Sequence, residues 1–120
     1  MEHIKLYVDD LRDCPKGYKI ARTAEEALDI LRDKNIHVDV LSLDHDLGEE
    51  NGVELTNGFG LVVKMGEEGL YADNIYIHTM NPVGREKMYT SLLSFKRHKL
   101  IPETVNVYNY SITEDKYTEQ

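Results

Sequence analysis

Short runs of β-forming residues alternate with helix-period segments along this chain, and that order constrains the fold more than any other feature. Ile4 to Val8 reads as a strand that ends in Asp9-Asp10. Leu11 to Gly17, broken by Pro15 and Gly17, reads as a loop too short for a helix, and Tyr18 to Arg22 as a second strand. Thr23 and Glu26 form a capping box for a helix carrying Ala24, Ala27, Leu28 and Leu31 on one stripe, with a stop near Asn35. Val38 to Leu43 is a third strand that also runs into acid, Asp44-His45-Asp46; a glycine-containing, flexible loop, Leu47 to Val53, follows. A second helix is expected from about Asn57, with Phe59, Val62 and Val63 on one face despite Gly58 and Gly60. Asn74 to His78 is a fourth strand, and Asn81-Pro82 starts a third helix that reaches about His98. Val105 to Tyr110 is a fifth strand, and Ser111 to Gln120 a polar, frayed tail.

Strands alternating with helices predict an α/β fold with a parallel five-stranded sheet and right-handed crossovers. Ile4, Leu6, Val8, Ile75, Ile77, Val105 and Val107 fall on one face of that sheet, and Lys5, Tyr7, Asn74, Tyr76, Asn106 and Tyr108 on the other. A sheet covered on both sides reads as continuous aliphatic runs, whereas these strands alternate. The helices are therefore expected mainly on one face. The tyrosine-rich face is left half-exposed or covered by a second copy of the chain in a homodimer.

Charge narrows the functional classes. Twenty-two acidic residues against 14 basic ones give a net charge of −8, which disfavours extended nucleic-acid binding and an anionic membrane surface. The single cysteine, Cys14, excludes an intrachain disulfide and fits a reducing, cytoplasmic setting. No apolar run approaches membrane-spanning length.

Parallel sheets place their sites at the carboxyl edge, and three of these strands end there in polar clusters. Asp9, Asp10 and Asp44 would crowd three carboxylates together, an arrangement that a hard divalent cation, Mg²⁺ or Mn²⁺, relieves. His45 and His78 lie beside them as candidate proton carriers. The start of the third helix, with Asn81, Gly84 and Arg85, offers backbone N–H groups and a guanidinium for a phosphate, and Arg12 is a second positive arm.

These residues resemble the acid pocket of two-component receiver domains. In that comparison Asp9 and Asp10 match the magnesium-binding pair, Asp44 the phospho-accepting aspartate and Thr79 the hydroxyl residue that senses phosphorylation. Receivers also carry a helix after the first strand, a lysine ending the fifth and a final helix; here stand the Leu11 to Gly17 loop, Asn109-Tyr110 and the tail. The two missing helices share one face in receivers, which agrees with the half-bare sheet inferred from alternation.

A closer likeness is carried by Leu6-Tyr7-Val8-Asp9-Asp10-Leu11-Arg12, Arg22-Thr23-Ala24-Glu25-Glu26-Ala27, Ser42-Leu43-Asp44-His45-Asp46-Leu47-Gly48 and Ile77-His78-Thr79-Met80-Asn81-Pro82-Val83-Gly84-Arg85. Together they are similar to the cyclic-phosphate processing receiver family, over about residues 4–110. The resemblance implies a flavodoxin- or receiver-like fold without the first and last receiver helices: one domain over residues 1–110 and a polar tail over 111–120. It also implies action on, or binding of, cyclic phosphates in nucleotides or at RNA ends.

Two functions follow as expectations. The first is a metal-assisted phosphoesterase, with Asp9, Asp10 and Asp44 on the metal, His45, His78 and Asp44 in catalysis, and Asn81, Gly84, Arg85 and Arg12 on the phosphate. Phosphoesterases built on two His-x-Thr/Ser motifs are not supported, because no histidine here is followed two residues later by threonine or serine. The second is a non-catalytic degenerate receiver that binds a metal, a nucleotide or a protein as a signalling module. Phosphotransfer to Asp44 ranks below both.

Overall fold

The computed structural model describes residues 1–47, 49–50, 53–54 and 57–112, with the backbone alone for 49–50 and 53–54. The elements in chain order are β1 (Glu2–Val8), β2 (Lys19–Ala21), α1 (Ala24–Arg32), β3 (Ile36–Leu43), β4 (Glu49–Glu50), β5 (Val53–Glu54), α2 (Gly58–Glu68), β6 (Asn74–Ile77), α3 (Pro82–Arg97) and β7 (Asn106–Tyr108). Five strands form one sheet in the order β2-β1-β3-β6-β7, every pair parallel. Strands β4 and β5 pair antiparallel in and just past the Leu47 to Val53 segment expected as a loop. The tail expected over 111–120 lies outside the described residues from 113 onward.

The three helices among the described residues lie in a single layer: α1 packs on α2, α2 on α3, and α1 and α3 on the strands beneath. The layer follows from the missing crossover between β1 and β2, where residues 9–18 form a loop, and from the absence of a described helix after β7. Its core holds Leu6, Val8, Ile75, Ile77 and Val105 of the aliphatic face read from the sequence, with Leu41 and Leu43 of β3, buried against Ala27, Leu61, Val62, Met65, Met88 and Leu92; Ile4 and Val107 of that face are half-buried. On the other face Tyr76 stacks on Tyr108 at 4.5 Å, and Tyr110 meets both rings. Among the described residues no helix is long and apolar enough to cross a membrane.

Local rules explain the helix bounds. Thr23 caps α1 by accepting from Glu26 N at 3.1 Å, but Glu26 returns its carboxylate to Arg22 N at 3.3 Å, one residue before the position a reciprocal box uses. The glycines of α2 are contact residues. A Cβ on Gly58 would lie 2.1 Å from the Asp44 carbonyl oxygen, and one on Gly66 would lie 2.5 Å from the Phe95 ring. Their cost in helix propensity is thus offset by close approach to β3 and to α3. Gly69 ends α2 in the left-handed conformation, at φ 70°.

The pairing of β1 with β3 slips by one residue. Ile4 pairs with Val38 but Lys5 with Val40, so Asp39 is an extra residue in β3. This β-bulge explains why the buried apolar positions of β3 run Val38, Leu41, Leu43 rather than in strict alternation.

Candidate functional site

The ladder hydrogen bonds continue one residue past the strands and carry their ends into register. Asp9 N donates to Ala21 O at 3.1 Å, Asp44 N to Val8 O at 3.0 Å and His78 N to Leu43 O at 2.8 Å. Three polar residues from β1, β3 and β6 are thereby set side by side at the carboxyl edge, as the sequence predicts.

Asp9 is 2% exposed and fully engaged. Its Oδ1 accepts from the backbone N–H of Leu11 and of Arg12, each at 2.9 Å, which turns the chain into the loop that stands in place of a helix. Its Oδ2 is 3.1 Å from His78 Nε2. Across the imidazole, His78 Nδ1 is 2.5 Å from Ser42 Oγ. Because a carboxylate only accepts, Nε2 carries a proton toward Asp9, and Nδ1 is engaged by the Ser42 hydroxyl. The Tyr7 ring stacks on His78 at 4.2 Å and 8°. Tyr7, Ser42 and Tyr76 lie across from one another in the register, and His78 follows Tyr76 by two, so all project to the helix-free face.

Ser42, His78 and Asp9 have the connectivity of a hydrolytic triad, yet Ser42 is 0% exposed and cannot meet a substrate. The hydroxyl fixes the orientation of the ring. Sequence reading passed over Ser42; its signal is a lone hydroxyl between Leu41 and Leu43 on a buried central strand.

Asp44 is half-buried, accepting from Asp46 N at 3.3 Å and from the Thr79 hydroxyl. Desolvation, and then the charge of Asp9, push its pKa above the ordinary aspartate value. For Asp9 desolvation also acts upward, but the His78 hydrogen bond and the two loop N–H groups outweigh it and hold the pKa low. The pair therefore carries negative charge that the protein only partly compensates.

Donor atoms of Asp9, Asp44 and His78 all lie within 4.8 Å of one another. The two carboxylates at that spacing, with Asp44 disfavoured as an uncompensated anion, fit a divalent cation, while both His78 nitrogens are engaged by Asp9 and Ser42. Asp10, half-buried one residue further on, is not part of this trio.

The start of α3 is arranged differently from expectation. Asn81 Oδ1 accepts from Gly84 N and Asn81 O from Arg85 N, both at 2.9 Å, and Pro82 has no N–H. The helix cap thus consumes most of the N–H groups expected for a phosphate. Gly84 serves instead as a contact, since a Cβ there would lie 2.4 Å from the His45 ring. His45 Nδ1 is 3.0 Å from Asp46 Oδ1 and 3.3 Å from Asn81 Nδ2, so His45 joins the β3 end to the α3 cap.

Arg12 and Arg85 line one cavity. A cavity of about 190 Å³ is lined by Arg12, His78, Thr79, Met80, Arg85 and Tyr110, with Ile77 and Ser111. His78 and Thr79 belong both to this cavity and to the surroundings of the carboxylate cluster; His45 does not line it. Arg12 is held in place through its main chain, its N–H on Asp9 and its carbonyl accepting from Arg22 Nη1 at 2.9 Å.

No curated protein and no solved structure matches the chain. A family model does, over residues 4–94, from β1 into the last turns of α3 and through every strand end that builds the carboxylate cluster. By that match the chain belongs to the cyclic-phosphate processing receiver domain family.

Proposed function

We propose that the chain opens cyclic phosphodiesters, the 2′,3′-cyclic phosphate of a nucleotide or of an RNA end, by metal-assisted hydrolysis at the ends of β1, β3 and β6. The supporting observation is the adjacency of the Asp9–Asp44–His78 cluster and the two-arginine cavity, with His78 common to both. An anionic ester is repelled by two carboxylates, and Arg12 with Arg85 supplies the opposing charge. Asp9 and Asp44 would hold Mg²⁺ or Mn²⁺, which when bound supplies Lewis acidity toward a phosphoryl oxygen.

The chain's own residues do the rest. Arg12 and Arg85 bind the non-bridging oxygens, where planar guanidinium groups form paired charge-assisted hydrogen bonds. Met80 and Tyr110, 85% and 49% exposed, give the cavity an apolar rim for a base. Water adds to phosphorus, one ribose P–O bond breaks, and the proton that the water gives up passes to the departing oxygen, while His78, its side chain 1% exposed with Nε2 on Asp9 and Nδ1 on Ser42, is a positioning residue for the Asp9 carboxylate. His45, packed under Gly84, is a positioning residue for the α3 start.

The test is a variant panel assayed on a 2′,3′-cyclic nucleotide with metal affinity measured in parallel. Turnover is expected to require Mg²⁺ or Mn²⁺ and to stop on chelation. Asp44→Ala should lose turnover and metal affinity together, and His78→Gln, which removes the imidazole that positions Asp9, should lower both by about tenfold or more. Unchanged turnover in both variants removes the reading. Tight binding of metal and cyclic nucleotide by the wild-type chain without turnover makes it a binding module instead.

A further inference from the structure

At the opposite end of the sheet lies a second group of metal-ligating side chains, unrelated to the carboxyl edge. His3 and His37 are the second residues of β1 and β3 and pair directly across the ladder, their ring centroids 5.1 Å apart. Asp39 is the extra residue of the β3 bulge. Without the bulge it would pair with Lys5; with it, the carboxylate meets the two imidazoles. Asp39 Oδ1 is 2.8 Å from His3 Nδ1 and 3.7 Å from His37 Nε2. A second carboxylate, Asp73 at the entry to β6, reaches His37 Nε2 at 3.0 Å.

We propose that His3, His37 and Asp39 form a zinc site that ties the starts of β1 and β3 together, with Asp73 as a further carboxylate on the β6 side. Their donor atoms lie within 4.8 Å of one another. Tetrahedral zinc with bonds near 2.0–2.1 Å holds its ligand atoms roughly 3.3 Å apart, and the two Asp39 distances straddle that value. Two imidazoles with a carboxylate are the donors that select zinc over magnesium, which prefers oxygen alone. The side chains of His3, Asp39 and His37 are 60%, 37% and 25% exposed, so the site is open to an entering ion and to water as a remaining ligand. Histidine–aspartate ion pairing alone explains the 2.8 Å and 3.0 Å contacts, but not the gathering of both rings around one bulged carboxylate.

The experiment is calorimetric titration of the full chain with Zn²⁺ in excess Mg²⁺, repeated for His3→Gln/His37→Gln, for Asp39→Asn and for Asp44→Asn. Thermal melts of the same proteins are recorded with and without zinc. One zinc site is expected in the wild type, with a rise in Tm on binding. It should weaken by at least roughly tenfold in the first two variants and persist in Asp44→Asn. Folding of the variants is checked by their melts without metal. Absence of a site above surface binding, a site indifferent to the histidine and Asp39 changes, or one lost only in Asp44→Asn overturns the proposal. Because Asp44 and His3 lie at opposite ends of the sheet, failure here leaves the carboxyl-edge chemistry intact, and the reverse holds.

Discussion

Asp44 concentrates the tension of the site in one carboxyl group. Desolvation and Asp9 both raise its pKa, so as an anion at neutral pH it opposes folding unless a cation is present. Asp44→Asn keeps an oxygen to accept from Asp46 N and Thr79 and discards the charge. The metal-free variant is expected to be more stable than the wild type at pH 7, by roughly 0.5–2 kcal/mol, while losing metal affinity. The sign of the pH dependence follows. A folded pKa above the unfolded one means the cost is fully present above the folded value and disappears below the unfolded value of about 3.9. The difference between variant and wild type in thermal melts should therefore shrink toward zero near pH 3. Asp9 runs the other way: its pKa is held low, so its favourable contribution is present above the unfolded value and is lost as the pH falls through the folded one. A gain for Asp44→Asn that is larger at pH 3 than at pH 7 contradicts this assignment.

Among the elements, α2 and α3 reach the site through glycines. A Cβ at Gly58 meets backbone, the Asp44 carbonyl, and backbone cannot swing aside. At Gly66 it meets the far end of the Phe95 ring, which can. Gly58→Ala is thus expected to destabilise by about 2–3 kcal/mol and to lower metal affinity, and Gly66→Ala to destabilise by less with the metal site intact. Denaturant melts together with metal titrations separate the two; equal losses contradict the contact roles. Gly84→Ala should displace His45 from the α3 cap, reducing turnover without changing metal affinity. These element-level roles also show where sequence reading stops. The glycines of α2 read only as a propensity cost, because the atoms that require them, Asp44 O and Phe95, are distant in the chain. The N–H groups at the start of α3 read as free, because sequence does not show Asn81 consuming them. The loop after β3 hid a pairing of two-residue strands, too short to leave a period.

For the whole molecule, alternation in β1, β6 and β7 was enough to deduce a parallel sheet with helices on one side, because burial on one face imposes a period of two. The acids ending β1 and β3 were legible for the same reason: a parallel sheet has one carboxyl edge. The bulge at Asp39 and the Ser42–His78–Asp9 chain were not, since each depends on register rather than composition. That chain explains how a half-covered sheet can support a site at all. Tyr7 and Ser42 project to the helix-free face and hold His78 there, so removal of the hydroxyl in Ser42→Ala should loosen the ring, cost about 1 kcal/mol of stability and, through Asp9, lower metal affinity and turnover together.

Phosphorus NMR of a 2′,3′-cyclic nucleotide incubated with the wild-type chain tests the central claim most directly. With Mn²⁺ or Mg²⁺ present, the cyclic diester resonance is expected to decay into that of a single phosphomonoester, and chelation or Asp44→Ala should halt the decay. A diester that persists with metal bound, or that decays equally in the Asp44→Ala protein, contradicts the account.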